Sequence, residues 1–425
     1  MLEALSAPPA ALPRTNYARS TAPPFAVAAF FALSVLELLG TTPFAVVSLD
    51  VAPRSSGSPL EAALYLVTTT LCLAAAAGRF GSPLALRLPL PIVLLLAYAG
   101  VSLLWSAVPG IALPRCLQFA LVTCTAFGFA QAFGARLVIG VLTVALGVAV
   151  LLDLAAVALV AGAVHRPVNS PEMLAGAWRG LLHLHKNGAG PVAALAALVL
   201  AIRFVHRPRW LTAALLAAAI LLLIGTQSRT AQVLLVACLG FAVVYRAILI
   251  RLSAVGRLAV AGFAALLLGL LFGSMLLAYL TDPAALTGRV GLWEALGRYL
   301  AGNWIAGSGY GSFWRLGTQA PILGLTDGWA TRTGQAHNGY LDALLSLGIV
   351  GFGLTLWAFV AQPARDLLRL RPPLDEATLL AATLFAFCAL HNLVESSVLI
   401  GNQPIHFVLA LSIAVLHRAV RPGAG

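Results

Sequence analysis

The sequence is poor in charge: of its 425 residues only 9% are Asp, Glu, Lys or Arg, against about 25% in an average soluble domain. That shortage excludes a soluble enzyme, a disordered tail protein and a nucleic-acid binder, even though the net charge is +12. Cysteine is scarce too, and Cys72, Cys116, Cys124, Cys238 and Cys388 all fall inside apolar runs. They read as small core residues with no disulfide framework. No HExxH, CxxC or Asp-x-Asp motif occurs, and His183 with His185 offers too few ligands. Neither a metal nor any other cofactor is expected. The glycine run from Gly307 to Gly311 lacks a following Lys-Ser/Thr pair, which argues against a nucleotide site. The opening stretch, Met1 to Pro24, lacks the apolar core and cleavage site of a signal peptide.

What the chain does have is apolar length. With 60% hydrophobic residues and a mean hydropathy of +0.95, it holds enough for about a dozen spans of ~20 residues. The expected fold is an all-α polytopic membrane protein. Apolar runs place spans at 25–40, 59–77, 90–106, 113–132, 137–164, 187–204, 210–226, 230–249, 258–280, 338–361, 376–394 and 403–418. This divides the chain into a disordered tail (1–24), nine spans (25–280), a large loop (281–337), three spans (338–418) and a short tail (419–425).

Lys and Arg counts set the orientation. Sixteen of the 26 fall on the side shared with the N-terminus, concentrated in short turns such as His206 to Arg209 and Arg365 to Arg371. Both termini are therefore expected to be cytoplasmic. Ten basic residues fall on the outer side, where this bias disfavours them, and such residues tend to serve an anionic partner. Arg115, Lys186 and Arg229 lie at or beside the starts of spans 4, 6 and 8, and His337-Asn338 starts span 10. Helix N-termini beside Arg and Lys make a phosphate or diphosphate site.

The large loop carries Gly288-Arg289, the glycine run ending at Phe313, and His337. A loop of this length is usually functional. Leu292, Trp293, Leu296, Leu300 and Trp304 recur at helical spacing. That pattern predicts a short helix lying on the membrane surface, as a lid or as a purely structural element. Glu37 and Asp153 are acids inside spans, away from the outer cluster, and are assigned no catalytic role.

These residues resemble the bacterial O-antigen ligase and polysaccharide polymerase family. Leu104-Trp105-Ser106 with Pro109 and Arg115 is similar to the family's loop before span 4, and His185-Lys186-Asn187 with Gly190 to its motif opening span 6. Ser228-Arg229-Thr230, Gly288-Arg289 with Trp293, and the glycine run match further elements. His337-Asn338 followed by Leu341, Leu344, Gly348 and Gly351, and Asn392 to Ser396, complete the likeness along most of the chain. The resemblance implies a metal-independent, inverting glycosyltransferase of the bacterial inner membrane, acting at the periplasmic face. Its donor would be a glycan on undecaprenyl diphosphate, and its acceptor a lipid A core sugar (ligase) or another lipid-linked glycan (polymerase). Arg229, Arg289 and His337 would be the functional trio. Lys186, Asn187, Arg115, Asn338 and Glu395 would contact substrate.

The residue types suit that chemistry. Breaking a sugar–diphosphate bond requires the departing negative charge to be held, and Arg supplies fixed bidentate donors. Arg229 and Arg289 are assigned to the diphosphate, with Lys186 as a supporting point charge. A His is the usual base for the attacking hydroxyl near neutral pH, with Glu395 as the second candidate. Plainer readings stay open: His337 or Asn338 as a helix cap, Lys186 snorkelling to the interface, Glu395 pairing with a loop Arg. A transporter of lipid-linked glycans is a further class, against which stand the absence of an internal repeat and the gathering of polar motifs on one side.

Overall fold

The computed structural model describes residues 22–41, 59–80, 86–166, 174–183, 185–247, 251–253, 255–256, 289–327, 330–331 and 333–421. Among them the chain is helical, with no β-strand and one isolated bridge between Val164 and Trp178. Eight described α-helices precede the large loop: α1 (Pro24–Leu38), α2 (Pro59–Phe80), α3 (Leu90–Val101), α4 (Pro109–Phe133), α5 (Ala135–Leu159), α6 (Lys186–His206), α7 (Trp210–Thr226) and α8 (Arg229–Ala247). The loop contributes α9 (Arg289–Asn303). Then come α10 (Gly339–Leu356), α11 (Gln362–Arg369), α12 (Glu376–His391) and α13 (Pro404–Ala419).

Among the described residues, six helical stretches are long and apolar enough to cross a bilayer: those of α2, α4, α5, α6 and α8, and the run Gly339–Arg369 in which a π-helical turn, Trp357–Ala361, joins α10 to α11. Shorter apolar helices are α1, α3 with its 3-10 extension, α7, α12 and α13. The chain is an α-helical membrane protein. Its outward faces agree: on α8, Val233, Val236 and Val243 are exposed, while Ala231, Leu234, Cys238 and Ala242 are buried. An apolar face left outward is costly in water and suits lipid. The run expected at 258–280, and the tail before residue 22, lie outside the described residues.

Local sequence explains where helices begin. Proline at the first turn opens α1, α3, α4 and α13, where its missing N–H costs nothing. Asp375 caps α12 through the Thr378 amide, and Asn338 caps α10 through the amides of Tyr340 and Leu341. Helix α6 is buried along its whole middle, from Ala189 to Leu200. Its run of alanines lets α5, α7 and α8 approach closely, so it forms the centre of the bundle.

The large loop packs differently from the expected surface helix. Leu292, Ala295 and Leu296 of α9 are fully buried in a second apolar cluster with Val108, Phe313, Leu316, Ile322 and Leu345. Trp293 and Leu300 pack on its edge, and of the predicted stripe only Trp304 is exposed. The helical periodicity is real, but the loop's own core takes up the apolar face. That core is pinned to α10 at Gly348. There φ is +64°, and a Cβ would lie 1.9 Å from the Ile305 carbonyl oxygen. Backbone bonds from Ile349 to Trp304 and from Ser308 to Leu345 cross at the same place.

Candidate active site

The turn after α12 places Glu395 in the middle of the predicted site residues. Its carboxylate is almost wholly buried, and both oxygens are used. Oε1 accepts from Asn187 Nδ2 at 2.9 Å and from Arg289 Nη2 at 3.1 Å. Oε2 accepts from Gln335 Nε2 at 2.9 Å and from His337 Nδ1 at 3.0 Å. Residues spread over more than 200 positions thus converge on one anion. Burial alone would raise the pKa of Glu395. The hydrogen bond from His337 and the charges of His337 and Arg289 outweigh it and hold the carboxyl below its ordinary range. The stability this pairing contributes is present above the ordinary carboxylate pKa and is lost as pH falls through the lowered one.

Each partner is held by its own element. Arg289, the first residue of α9, also donates Nη1 to the Val394 carbonyl at 3.0 Å. Two of its five N–H donors are therefore engaged among the described residues, leaving three for a ligand. His337 adopts a left-handed backbone (φ +54°), which turns the chain into α10 and brings its ring onto Glu395. Because a carboxylate can only accept, Nδ1 carries the hydrogen in this bond. The start of α10 is stitched to the same turn: Gly339 N–H reaches the carbonyls of Asn392 and Glu395, and Asn338 N–H reaches Ser396 Oγ.

Lys186 and Arg229 form the second edge. The Lys186 ammonium lies 3.5 Å from the Gln227 carbonyl, in the turn that leads into α8. Helices α6 and α8 press together at Gly190, where a Cβ would sit 2.5 Å from Ser228 Cβ. Arg229 is exposed and makes no hydrogen bond or ion pair with any described residue. The N-termini of α6, α8 and α10 consequently meet at one end of the bundle, each adding about half a positive charge. His185 caps α6 by accepting the Asn187 amide at 3.2 Å on Nδ1. Burial, with His165 next, pushes its pKa down to about 4, so the ring stays neutral and able to accept.

Two of the expected substrate contacts have partners within the protein. The Arg115 guanidinium is occupied by three backbone carbonyls of the glycine-run loop, those of Gly311, Trp314 and Arg315, at 2.6, 2.9 and 3.0 Å. It shapes that loop and does not join the Glu395 cluster. Asn338 spends its oxygen on the α10 cap and its amide on the Leu393 carbonyl. Of the two intramembrane acids, Asp153 accepts the Leu181 amide and lies 3.4 Å from His183 Nε2, beneath the segment leading to α6. Glu37 is buried within α1. Gln335 was missed by sequence reasoning, though it binds Glu395 and, through Oε1, the Ser396 amide. Its position two residues before His337 was the available signal.

The arrangement sets a carboxylate-paired histidine beside three cationic side chains. A carboxylate fixes the tautomer of a histidine, and Arg289, Lys186 and Arg229 present positive charge along the same end of the bundle. No family model matches the chain, and no curated protein matches it either.

Proposed function

We propose that the protein is a membrane glycosyltransferase that moves a glycan from undecaprenyl diphosphate to a sugar hydroxyl at the periplasmic face, in the manner of an O-antigen ligase. In this reading the chain makes twelve spans, with both termini cytoplasmic in the bacterial inner membrane and residues 281–337 outside. The observation that carries it is the Glu395-supported His337 set beside Arg289, with Lys186 and Arg229 along the same edge.

In the step itself, the acceptor oxygen attacks the anomeric carbon and forms the new C–O bond as the sugar–diphosphate C–O bond breaks. The acceptor proton passes to His337 Nε2, and the bonding electrons leave with the diphosphate. Glu395 holds Nδ1–H and stabilises the imidazolium as it forms. Arg289 and Arg229 clamp the departing oxyanions, where fixed dipoles and guanidinium groups lower the barrier most. Lys186 adds a point charge, and Asn187 keeps Glu395 aligned. No metal is required in this reading, because Arg289, Arg229 and Lys186 supply the positive charge that holds the departing diphosphate.

Polymerisation of lipid-linked repeats uses the same donor chemistry with a different acceptor. The test supplies purified protein in detergent with an undecaprenyl-diphosphate-linked glycan and either a lipid A core or a second lipid-linked glycan. Transfer to the core supports the ligase, and a longer product still on the carrier makes the protein a polymerase. Because detergent contains no sealed compartment, either product excludes transport as the sole activity. No product with either acceptor refutes the glycosyltransferase reading.

A further inference from the structure

We propose that a cavity on the far side of Gln335 is the acceptor-sugar site, and that Arg315 selects a sugar bearing an anionic phosphate or carboxylate group. This rests on the transfer reading above and names the second substrate of that site. The cavity lies between the start of α4, the glycine-run loop and the segment that follows Glu395. Its volume is about 130 Å³, many times the ~10–15 Å³ that admits one water. Gln118, Tyr310, Trp314, Arg315, Gln335 and Asp342 are among the residues lining it.

Two polar groups in its wall donate to nothing among the described residues. Gln118 is 4% exposed, and its Nε2 has no hydrogen-bond partner. The Arg315 guanidinium donates to no described residue, whereas the neighbouring Arg115 is taken up by three carbonyls. Buried donors are almost always satisfied, so the unsatisfied Gln118 amide, beside an Arg315 guanidinium that donates to no described residue, marks where a ligand's acceptor atoms belong. The one acid among the lining residues, Asp342, already accepts from Trp314 Nε1 at 2.6 Å and from the Ala336 amide at 3.2 Å. Two guanidinium groups against one committed carboxylate favour an anionic ligand. Amides, a carboxylate and the rings of Tyr310 and Trp314 are the groups that hold a sugar ring in place.

The location fits an acceptor. Gln335 is the shared wall: it lines the cavity, and its amide nitrogen reaches the same Glu395 oxygen that holds His337. A sugar in the cavity extends its attacking hydroxyl past the Gln335 side chain to reach the base. The donor's diphosphate is assigned to Arg229, Arg289 and Lys186, on the other side.

The test is saturation-transfer NMR on the full-length protein in detergent with glucose 6-phosphate, glucuronate and glucose. Either or both charged sugars are expected to bind at least tenfold more tightly than glucose, and which of them does so identifies the anionic group read. Arg315→Gln should reduce that binding to the level of glucose. The Arg315 backbone carbonyl, which anchors Arg115, is left in place. Gln118→Leu, which removes the unsatisfied amide at similar size, should weaken all three sugars. Arg229→Gln should leave them unchanged. Equal binding of charged and neutral sugars, wild-type binding by Arg315→Gln, or loss in Arg229→Gln instead would overturn the proposal. In turnover, Arg315→Gln should raise the KM for acceptor and leave that for donor unchanged. Should the wild type bind charged sugars through Arg315 yet transfer no glycan from the lipid diphosphate, the transfer reading falls while the anionic sugar site stands.

Discussion

Replacing Glu395 by Gln removes one charge and almost no volume from the middle of the site. All four of its partners are donors: Asn187 and Arg289 on one oxygen, Gln335 and His337 on the other. A carboxamide keeps a single oxygen, so its NH₂ must face two donors whichever way it turns. Arg289 can never accept, but the His337 ring can, by moving its hydrogen from Nδ1 to Nε2. The amide nitrogen should therefore settle against His337 and its oxygen against Arg289. Two consequences follow. Loss of charge-assisted bonds worth about 1.5–3 kcal/mol each should lower stability by roughly 3 kcal/mol. Protonated Nε2 can no longer take the acceptor's proton, and general-base catalysis contributes about 10²–10⁴-fold. In a detergent turnover assay kcat should fall at least about 100-fold, with donor affinity retained because the Arg289 side chain is intact. A kcat within threefold of wild type, or a loss confined to donor KM, would refute this reasoning.

Three further perturbations separate the parts of the site. Arg229→Lys keeps the charge but loses the planar fork, and should cost most of the activity; turnover within twofold of wild type would remove bidentate recognition from the account. His185 holds a pKa of about 4 against an ordinary 6.5. The unfolded chain therefore binds the extra proton between those values, and stability should be whole above pH 6.5 and fall by about 2 kcal/mol towards pH 4, allowing for partial solvent screening. Thermal unfolding at pH 7 and pH 5 checks this, since His185→Asn can still cap α6 but does not titrate; equal pH dependence in both proteins would contradict it. Gly348→Ala places a methyl on the Ile305 carbonyl at a left-handed backbone position, and should destabilise by at least about 3 kcal/mol. An unchanged melting temperature would show that the segment after α9 does not cross α10 there.

The helices were legible in the sequence because apolar length and caps are local signals. Runs predicted at 187–204 and 210–226 became Lys186–His206 and Trp210–Thr226, with boundaries set by His185 and by the Gln227 turn. The burial of α9 was not legible, because Leu292 and Leu296 show only periodicity, and periodicity cannot say whether lipid or a loop's own core covers the face. Arg289, His337, Asn187 and Glu395 were each singled out, and the structure brings them within hydrogen-bonding distance. Their arrangement around Glu395 depends on how α6, α9, α10 and the turn after α12 meet, which no local pattern encodes. Arg115 shows the converse: a cation at a helix start reads as an anion site until three carbonyls from a loop some 200 residues later are seen to fill it.

The most direct measurement is the affinity of purified protein for undecaprenyl diphosphate alone, compared between wild type and the double variant Arg229→Glu with Arg289→Glu. At least a 100-fold weakening is expected, with the helical circular dichroism unchanged. Equal affinity in the two proteins would contradict a cationic diphosphate site at this end of the bundle.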